Sequence, residues 1–572
     1  MQPADFNNCS VKVNFGPYEL DTERGTLSKH GTALRVREQS VQVLVALVER
    51  PGELVTRDEL RRRLWNDGTV VDFDTGLNTA ISRLRQVLND PAGSPRFIET
   101  VPKRGYRFIA TVPKRHSLAV MPFVNHSAEH DGDYFIDGLT EELIRACWRI
   151  DGLRVAGRAT VARFQKQPYD PIRAARELGV DSILEGTVRG VADRIRINVH
   201  LLNGEDGFEV WTERFDAERK DVFATQDHIA ERIAEVLKTR LKASPPDNRP
   251  CNTEAYTAYL KGHFLVKRHS PANSAKALQY FEQAIQADPG YPISYHGAAV
   301  VHILDTLLGT SAPRDGMVKA EGLLEKGLAI QTDSAMLQNT LGMLKMFQWR
   351  WLESERAYRR AIALEPSNPH PHMMFALYCS FSGRHDEAWQ EARTALELDP
   401  VDPMMNFRVV QAAYYARRYD AAIQSARTAI ELAPDFQPPY AYLASALLAA
   451  GQTEETWTMT QRAKELGRGL PFCQGGFGYI AGTLGHTEEA RDVIADLTAR
   501  RDRSYGPALP IAWTWLGLGD VDLCLQWLQI AFDEHEPYLA AVAVSPIYDR
   551  LRSNPIFRRL LRAGGLAVDG SG

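Results

Sequence analysis

The sequence predicts a multidomain, mainly α-helical chain with three successive parts: a small helical unit ending in a basic hairpin, an α/β domain, and a long solenoid of paired helices. Three observations carry this. A stripe at helical period followed by two short alternating strands runs from Thr75 to Ile109. Strands rich in β-branched residues, alternating with amphipathic stretches, fill the chain after His116. In the C-terminal half a pattern of small residues returns every 34 positions.

In the first part, Glu38 to Arg50 places Val41, Leu44, Val45 and Val48 on one helix face. Thr56-Arg57-Asp58-Glu59 is a capping box opening a second helix with Leu60, Leu64 and Trp65. The third helix aligns Leu77, Ile81, Leu84 and Leu88, which leaves Asn78, Thr79, Ser82, Arg83, Arg85 and Gln86 on a polar, cationic face. After the turn Asn89-Asp90-Pro91, Phe97 to Val101 alternates as a strand, Pro102-Lys103-Arg104-Gly105 supplies turn residues, and Tyr106 to Ile109 returns. Three helices and a hairpin make a winged helix-turn-helix. A cationic tip beside such a helix suits a groove and a phosphate backbone. The competing reading of Arg83 and Arg85 is a solvated helix face.

Charge supports the local reading. The whole chain carries 67 Lys and Arg against 72 Asp and Glu, a net of −5, which excludes a polybasic nucleic-acid coat. Residues 1–115 hold 18 basic against 14 acidic side chains, and residues 83–115 hold 8 against 2. The basic charge is concentrated where a phosphate-facing stripe is needed.

These residues resemble the OmpR/PhoB-type and ToxR/CadC-type winged-helix transcription regulators. The resemblance rests on Gly52-Glu53-Leu54-Val55-Thr56-Arg57-Asp58-Glu59-Leu60, Leu64-Trp65, Ile81-Ser82-Arg83-Leu84-Arg85, Ile98-Glu99-Thr100-Val101 and Gly105-Tyr106-Arg107-Phe108. Strands around Tyr18-Glu19-Leu20 and Ala33-Leu34-Arg35-Val36 look like the family's small N-terminal sheet. The family places its third helix in the major groove and its wing in the neighbouring minor groove. The resemblance therefore implies contacts to double-stranded promoter DNA from Asn78, Thr79, Ser82, Arg83 and Arg85 in the helix, and from Thr100, Lys103 and Arg104 in the wing. Ser82 stands where many members are more basic, and Pro102-Lys103-Arg104 replaces a Gly-rich tip. The phosphoacceptor domain that often precedes such a reader is missing from this sequence, so phosphorylation control in cis is not expected.

At 572 residues and 44 % hydrophobic, the chain can bury several cores. Its six cysteines, Cys9, Cys147, Cys251, Cys379, Cys473 and Cys524, lie far apart, so neither a zinc site nor a disulfide framework is expected. No signal segment and no apolar run of about 20 residues is found, which points to the cytoplasm and away from a membrane. In this the chain departs from ToxR/CadC-type regulators.

The repeat is explicit in 358–366, 392–400 and 426–434, of which the second reads Ala392-Arg393-Thr394-Ala395-Leu396-Glu397-Leu398-Asp399-Pro400. In that register Gly327, Ala361, Ala395, Ala429 and Ala463 share one position, and Gly383, Arg417, Gly451, Gly485 and Gly519 share the turn between paired helices. About six units run from Asp315 to Glu536, and an earlier unit ends at Pro289, separated by an extra nine residues near Leu307 to Asp315. The period is that of tetratricopeptide repeats, and the resemblance implies a groove that holds a peptide or helix. First-helix residues Phe407, Gln411 and Tyr414 are the candidates to line it, a core role being the commoner fate of such aromatics.

The middle part opens with the buried-type strand 117–123, followed by the amphipathic 135–150, Leu153 to Ala156, a short helix near Arg173 to Leu178, the strands 181–188, 195–201 and 208–215, and a closing helix from Val222 to Leu241. It resembles the TolB N-terminal-like domain through Val120-Met121-Pro122-Phe123, Asp137-Gly138-Leu139-Thr140-Glu141-Glu142-Leu143 and Leu184-Glu185-Gly186-Thr187-Val188. That resemblance carries no agreed chemistry.

Catalytic motifs are lacking: no phosphate loop, no Gly-x-Ser-x-Gly elbow and no His-Glu-x-x-His helix. His130-Asp131-Gly132-Asp133 reads as a solvated turn, His370-Pro371-His372 as a proline-punctuated helix entry, and Gly475-Gly476-Phe477-Gly478 as a helix boundary. No catalytic residue, cofactor or metal is expected.

The chain is thus expected to comprise a winged helix (1–113), a TolB N-terminal-like α/β domain (116–242), tetratricopeptide repeats (250–540) and a capping segment with tail (541–572), an order similar to HilA-like regulators. The expected function is sequence-specific, DNA-binding transcription regulation. The repeats would bind a protein or peptide partner, RNA polymerase among the candidates, or relay an effector signal, and homodimerisation would supply paired half-sites. Two alternatives stay open: a scaffold whose winged helix does not bind DNA, and a nucleotide-binding enzyme using the middle domain.

Overall fold

Four short strands come first, β1 (Lys12–Phe15), β2 (Tyr18–Asp21), β3 (Thr26–Lys29) and β4 (Thr32–Leu34), pairing antiparallel in chain order. The computed structural model describes residues 12–566 apart from 16, 22–24, 30–31, 65–72, 94, 111–115, 127–132, 151, 166–167, 192–193, 219–221, 238–252, 267–269 and 468. Trp65, Cys9, Cys251, His130 to Gly132 and the end of the helix expected to reach Leu241 lie outside the described residues. Two units are defined, Met1–Arg115 and His116–Gly572.

In the first unit, β5 (Leu54–Thr56) separates α1 (Glu38–Val48) from α2 (Arg57–Leu64), and α3 (Phe73–Leu88) precedes the hairpin β6 (Ile98–Val101) and β7 (Gly105–Phe108). The capping box forms as read: the Thr56 backbone N–H donates to Glu59 Oε2 at 2.7 Å, and the Glu59 N–H donates to Thr56 Oγ1 at 3.2 Å. These bonds, led by the Thr56 N–H, hold the Glu59 carboxyl down at about 2. The stripe Leu77, Ile81, Leu84 and Leu88 is buried against Val41, Leu44, Val48 and Leu60. The sequence pattern assigned no element to Leu54 and Val55 ahead of the capping box at Thr56. Leu54 to Thr56 is in fact a strand, pairing with β7 to give the sheet order β5-β7-β6. Gly105 is demanded there, since a Cβ would overlap the Val55 carbonyl oxygen.

The second unit begins with β8 (Ser117–Val120), β9 (Val124–Asn125), α4 (Asp133–Trp148), β10 (Arg154–Val155), α5 (Arg158–Val161), α6 (Pro171–Leu178), β11 (Ser182–Val191), β12 (Arg194–Asn203), β13 (Glu209–Glu218) and α7 (Val222–Val236). The sheet order is β10-β8-β11-β12-β13, with β9 also on β11. β8 runs parallel to β10 and β11, and β11 to β13 form an antiparallel meander. Helix α6 is short because its ends are set: Asp170 accepts from the Arg173 N–H at 2.8 Å, Pro171 follows, and Gly179 stops it at φ 61°.

The helix pairs are α8 (Thr253–Val266) with α9 (Pro271–Ala287), α10 (Pro292–Leu307) with α11 (Pro313–Ile330), α12 (Ala335–Phe347) with α13 (Trp351–Leu364), and α14 (Pro369–Phe381) with α15 (His385–Leu398). Next come α16 (Pro403–Tyr415) with α17 (Tyr419–Leu432), α18 (Gln437–Ala449) with α19 (Thr453–Leu466), α20 (Pro471–Leu484) with α21 (Thr487–Arg503), and α22 (Leu509–Leu518) with α23 (Val521–Asp533). The extra nine residues open no separate loop. Seven of them lengthen α10 and α11 to 16 and 18 residues, against 13 and 14 in the next pair, the other two lie in the turn between these helices, and the unit read as starting at Asp315 begins upstream at Pro292. The segment Gly475 to Gly478, read as a helix boundary, lies inside α20. Its glycines serve packing: a Cβ at Gly475 would press on Pro510, at Gly478 on Thr514 and at Gly482 on the Gly517 backbone.

The turn position is left-handed in every pair from α12 onward: Trp349, Gly383, Arg417, Gly451, Gly485 and Gly519 all have φ between 59° and 89°. Glycine takes this conformation without strain. The two exceptions are tied down, Trp349 by stacking on His535 at 5.3 Å and Arg417 by an ion pair to Asp549 at 2.7 Å. Beyond α23, the 3-10 turns Pro537–Ala541 and Pro546–Leu551 lead back over the first helices before α24 (Pro555–Ala563). Tyr538 stacks edge-on against Phe347 of α12 at 5.8 Å and Phe472 of α20 at 4.6 Å.

The α/β domain and the repeats share one hydrophobic core, from Leu118 and Leu184 through Tyr256 and Phe281 to Val301. Their polar junction is Asp399, 1 % exposed, whose carboxylate accepts from the Gly157 N–H at 2.7 Å and the Thr160 hydroxyl at 2.9 Å. Asp399→Ala strands both donors and is expected to cost about 2–4 kcal/mol in a denaturant melt. Burial, helped by the Asp402 carboxylate, raises Asp399 from its usual 3.8 to about 7. The folded state therefore binds this proton more tightly than the unfolded chain, and the group's contribution to stability falls as pH rises from about 4 through about 7. Melts of Asp399→Asn across that window should show a flatter pH dependence than wild type.

Candidate nucleic-acid interface

The recognition helix and wing are positioned by internal bonds. Asp90, buried after α3, takes the backbone N–H groups of Arg96, Phe97 and Ile98 at 2.5, 3.2 and 2.9 Å, fixing where β6 starts. The Ser40 hydroxyl donates to the Ala80 carbonyl at 3.1 Å, joining α1 to α3. Glu99 and Arg107 pair across the wing strands at 2.9 Å.

The eight residues singled out from sequence divide into two sets. Arg85 donates to the Ile98 carbonyl at 2.7 Å and to Thr100 Oγ1 at 2.9 Å, so two candidate DNA contacts are bonded to each other and brace the wing on the helix. The Asn78 side-chain oxygen accepts from Arg57 at 3.0 Å and from the Tyr106 hydroxyl at 2.9 Å, while the Arg57 guanidinium lies 5.5 Å from the Tyr106 ring centre. The Thr79 hydroxyl donates to the Thr75 carbonyl one turn back. The second set is exposed: Ser82 and Arg83 on α3, and Lys103 and Arg104 at the wing tip, have no side-chain partner among the described residues. Lys103 sits at φ 64°, which turns the hairpin. Sequence reading missed the bracing roles of Asp90, Arg57 and Tyr106, although Asn89-Asp90-Pro91 marked the turn that Asp90 ties.

In the repeats, Phe407, Gln411 and Tyr414 all lie on α16, are largely buried, and line one cavity of about 320 Å³. The chain's own Tyr538, Ser545 and Tyr548 cover that cavity, so much of the inner face expected to receive a peptide is occupied by the C-terminal segment. Among the described residues no cluster of three His, Cys, Asp or Glu side chains could hold a metal ion, and no helix is long and apolar enough to cross a membrane.

Helix, turn, helix and basic wing on a three-stranded sheet define a winged-helix DNA-binding domain of transcription regulators. More narrowly, residues 31–108 match the family described as transcriptional regulatory protein, C terminal, and residues 114–232 match the second domain of HilA/YgeH-like transcriptional regulators. The chain therefore carries an OmpR/PhoB-type reader followed by a HilA-like second domain. The cholera toxin homolog transcriptional activator of Vibrio parahaemolyticus is 44 % identical over 105 residues, 16 % of this chain and 36 % of that protein. The transcriptional regulator HilA of Salmonella paratyphi A is 21 % identical over 399 residues, 66 % of this chain and 69 % of that protein. A Rhizobium meliloti protein named "Putative adenylate cyclase 3" is 31 % identical over 248 residues, 42 % of each chain. The chain thus spans about two fifths of the length of that cyclase-named relative and about a third of the Vibrio activator.

Asp90→Ala leaves three backbone donors without their carboxylate and is expected to destabilise the first unit by about 2–4 kcal/mol. Circular dichroism melts of the full chain should show the loss, with the transition of the second unit unmoved.

Proposed function

We propose that the protein is a sequence-specific, double-stranded DNA-binding transcription regulator of the cytoplasm. The observation that carries the reading is the division of labour in the winged helix. Asn78, Arg85 and Thr100 are held by internal bonds, whereas Ser82, Arg83, Lys103 and Arg104 face outward without partners among the described residues. Ser82 and Arg83 would enter the major groove, Arg83 suiting the O6 and N7 acceptors of guanine. Lys103 and Arg104 would meet phosphate or the minor groove beside it, and Arg85 with Thr100 would keep the wing at its working distance from the helix. Thr79 and Asn78 would contribute at the helix start, Asn78 through its amide N–H groups. One recognition helix reads only a few base pairs, so we assign the protein paired half-sites and hence a dimer on DNA. The repeats would receive the partner or effector that sets promoter output, RNA polymerase being one candidate. The reading assigns no catalytic step to the chain, and ATP turnover by purified full-length protein would overturn that part.

Full-length protein bound to genomic fragments at physiological salt should enrich a shared sequence, and Arg83→Ala should abolish that preference. Lys103→Ala with Arg104→Ala should weaken all DNA alike and lower the log-salt slope by roughly two, about one per lost phosphate contact. Unchanged enrichment in Arg83→Ala together with an unchanged salt slope in the double variant would leave the winged helix without a role in DNA recognition.

A further inference from the structure

We propose that the cavity beside α16 is a binding site for a small aromatic carboxylate, which would act as the effector of the regulator proposed above. Its volume, about 320 Å³, lies at the lower end of the range of natural ligand sites, about 300–1,000 Å³. That is room for a molecule of one or two rings.

The walls select for an aromatic body. Phe407, Tyr414, Tyr442, Phe472, Phe477 and Trp513 contribute rings from four first helices, and Tyr538 and Tyr548 close the site from the C-terminal segment. Edge-to-face contacts already organise them, with Phe407 and Tyr414 each about 5 Å from the Tyr442 ring, at 5.2 and 5.3 Å.

The charges select for an anion. Among the described residues that line it no Asp or Glu is found, and the sole charged side chain is Lys464. Lys464 is exposed, lies 3.9 Å from the Phe477 ring centre, and has no carboxylate partner among the described residues. A second cation stands directly behind the wall. Arg408 is 5 % exposed, and among the described residues its Nε has no acceptor and its side-chain hydrogen bond runs to the Gln411 side-chain oxygen. Burial lowers Arg408 to about 10, and the groups that act against this are tyrosines rather than a carboxylate. Buried charges are ordinarily paired, so this one is a standing electrostatic demand for an anion.

A polar relay carries the demand into the cavity. Gln411 Nε2 donates to the Tyr442 hydroxyl at 2.8 Å, and the Tyr442 and Tyr415 hydroxyls are 3.0 Å apart. One phenolic hydrogen bridges the pair, which leaves the other for an outside acceptor. A carboxylate at this end would accept it while sitting in the field of Arg408.

Gly476 supplies an independent sign. The other interior glycines of α20, at 475, 478 and 482, are required by the close approach of α22, whereas a Cβ at Gly476 meets no atom within 4 Å. Gly476 lines the cavity. Its missing side chain leaves space open at some expense to the helix, since Gly is about the poorest interior helix residue after Pro.

The test uses the full-length protein and four probes: indole-3-acetate and 4-hydroxyphenylacetate, each against its neutral amide. Binding is read by calorimetry and by the thermal midpoint of the second unit. At least one acid should bind, about tenfold or more tighter than its amide, the factor equivalent to about 1.4 kcal/mol. Gly476→Leu should fill the cavity and abolish binding with an unchanged or higher melting temperature, and Lys464→Gln should weaken the acid but not the amide. Failure of both acids at millimolar concentration, equal binding of acid and amide, or binding retained in Gly476→Leu would each overturn the proposal. Arg83→Ala should leave acid binding intact, so failure of this site and failure of DNA recognition are read separately.

Discussion

A stack of helix pairs has no natural end. Each pair presents an apolar face that only a neighbour can bury, and the last face on either side must be covered by something else. In this chain both ends are covered from within. On one side the sheet and helices of the α/β domain share a core with α8 to α10, so that Leu118 and Phe281 belong to one apolar cluster. On the other, Leu539, Val542, Tyr548 and Leu551 pack with α22, α23 and α24. The same C-terminal segment sends Ala540, Ala541 and Val544 into the core of the central first helices. It is at once an end cap and a lining of the inner face. The cavity follows from that double duty: a segment that turns by 3-10 geometry cannot fill the space between rings as regularly as another helix would.

How far this was legible in the sequence differs by element. The 34-residue period located the helices because small residues at the crossings, such as Ala361, Ala395 and Ala429, are a local necessity of close packing and are all fully buried. The left-handed turn position was legible at Gly383, Gly451, Gly485 and Gly519, and by register at Arg417, but obscured at Trp349; at the two non-glycine positions a tertiary contact substitutes for glycine's freedom. The capping box at Thr56 and the stripe on α3 were legible for the same reason: their partners are three or four residues away. What the sequence left unread or misread involves distant partners. Leu54 to Thr56 becomes a strand only because β7, about fifty residues on, offers an edge. The glycines of α20 suggested a helix boundary because the residues that require them, Pro510, Thr514 and Gly517, lie on another helix. Nothing near Asp399 in sequence announces that its carboxylate closes on Gly157 and Thr160, some 240 positions away.

The same distinction governs the candidate site. Sequence pattern identified an outward helix face and a basic hairpin tip, but it could not divide that set between residues that brace the structure and residues left free to bind. Arg83 and Arg85 look equivalent as neighbours on a helix. They differ because Arg85 lies within reach of the Ile98 carbonyl and the Thr100 hydroxyl, and a guanidinium with two good acceptors is held in place. Bracing of this kind has functional value. Phosphate and base contacts depend on the spacing between helix and wing, and an arginine bridging the two limits that spacing more tightly than a solvated loop could.

Coupling between the two parts of the second unit follows from how its polar junction is built. Asp399 lies just after α15, at the end of one repeat, and each of its carboxylate oxygens accepts a hydrogen bond from the α/β domain, one from Gly157 and one from Thr160, where a Cβ on Gly157 would overlap the carboxylate. A junction with one backbone donor, one hydroxyl and no spare room does not slide; it is either made or broken. Trp148, meeting His370 of α14 edge-on at 5.8 Å, adds a ring contact to the first helix of the same repeat. A change in how α14 to α16 pack is therefore transmitted to the α/β domain as a shift of a whole surface or as loss of the junction, and little can be absorbed between. The last of those helices, α16, carries Arg408, Gln411 and Tyr414. The helix that lines the cavity therefore directly follows the residue that fixes the α/β domain, which gives the repeats a short physical route from an occupied inner face to the domain beside them.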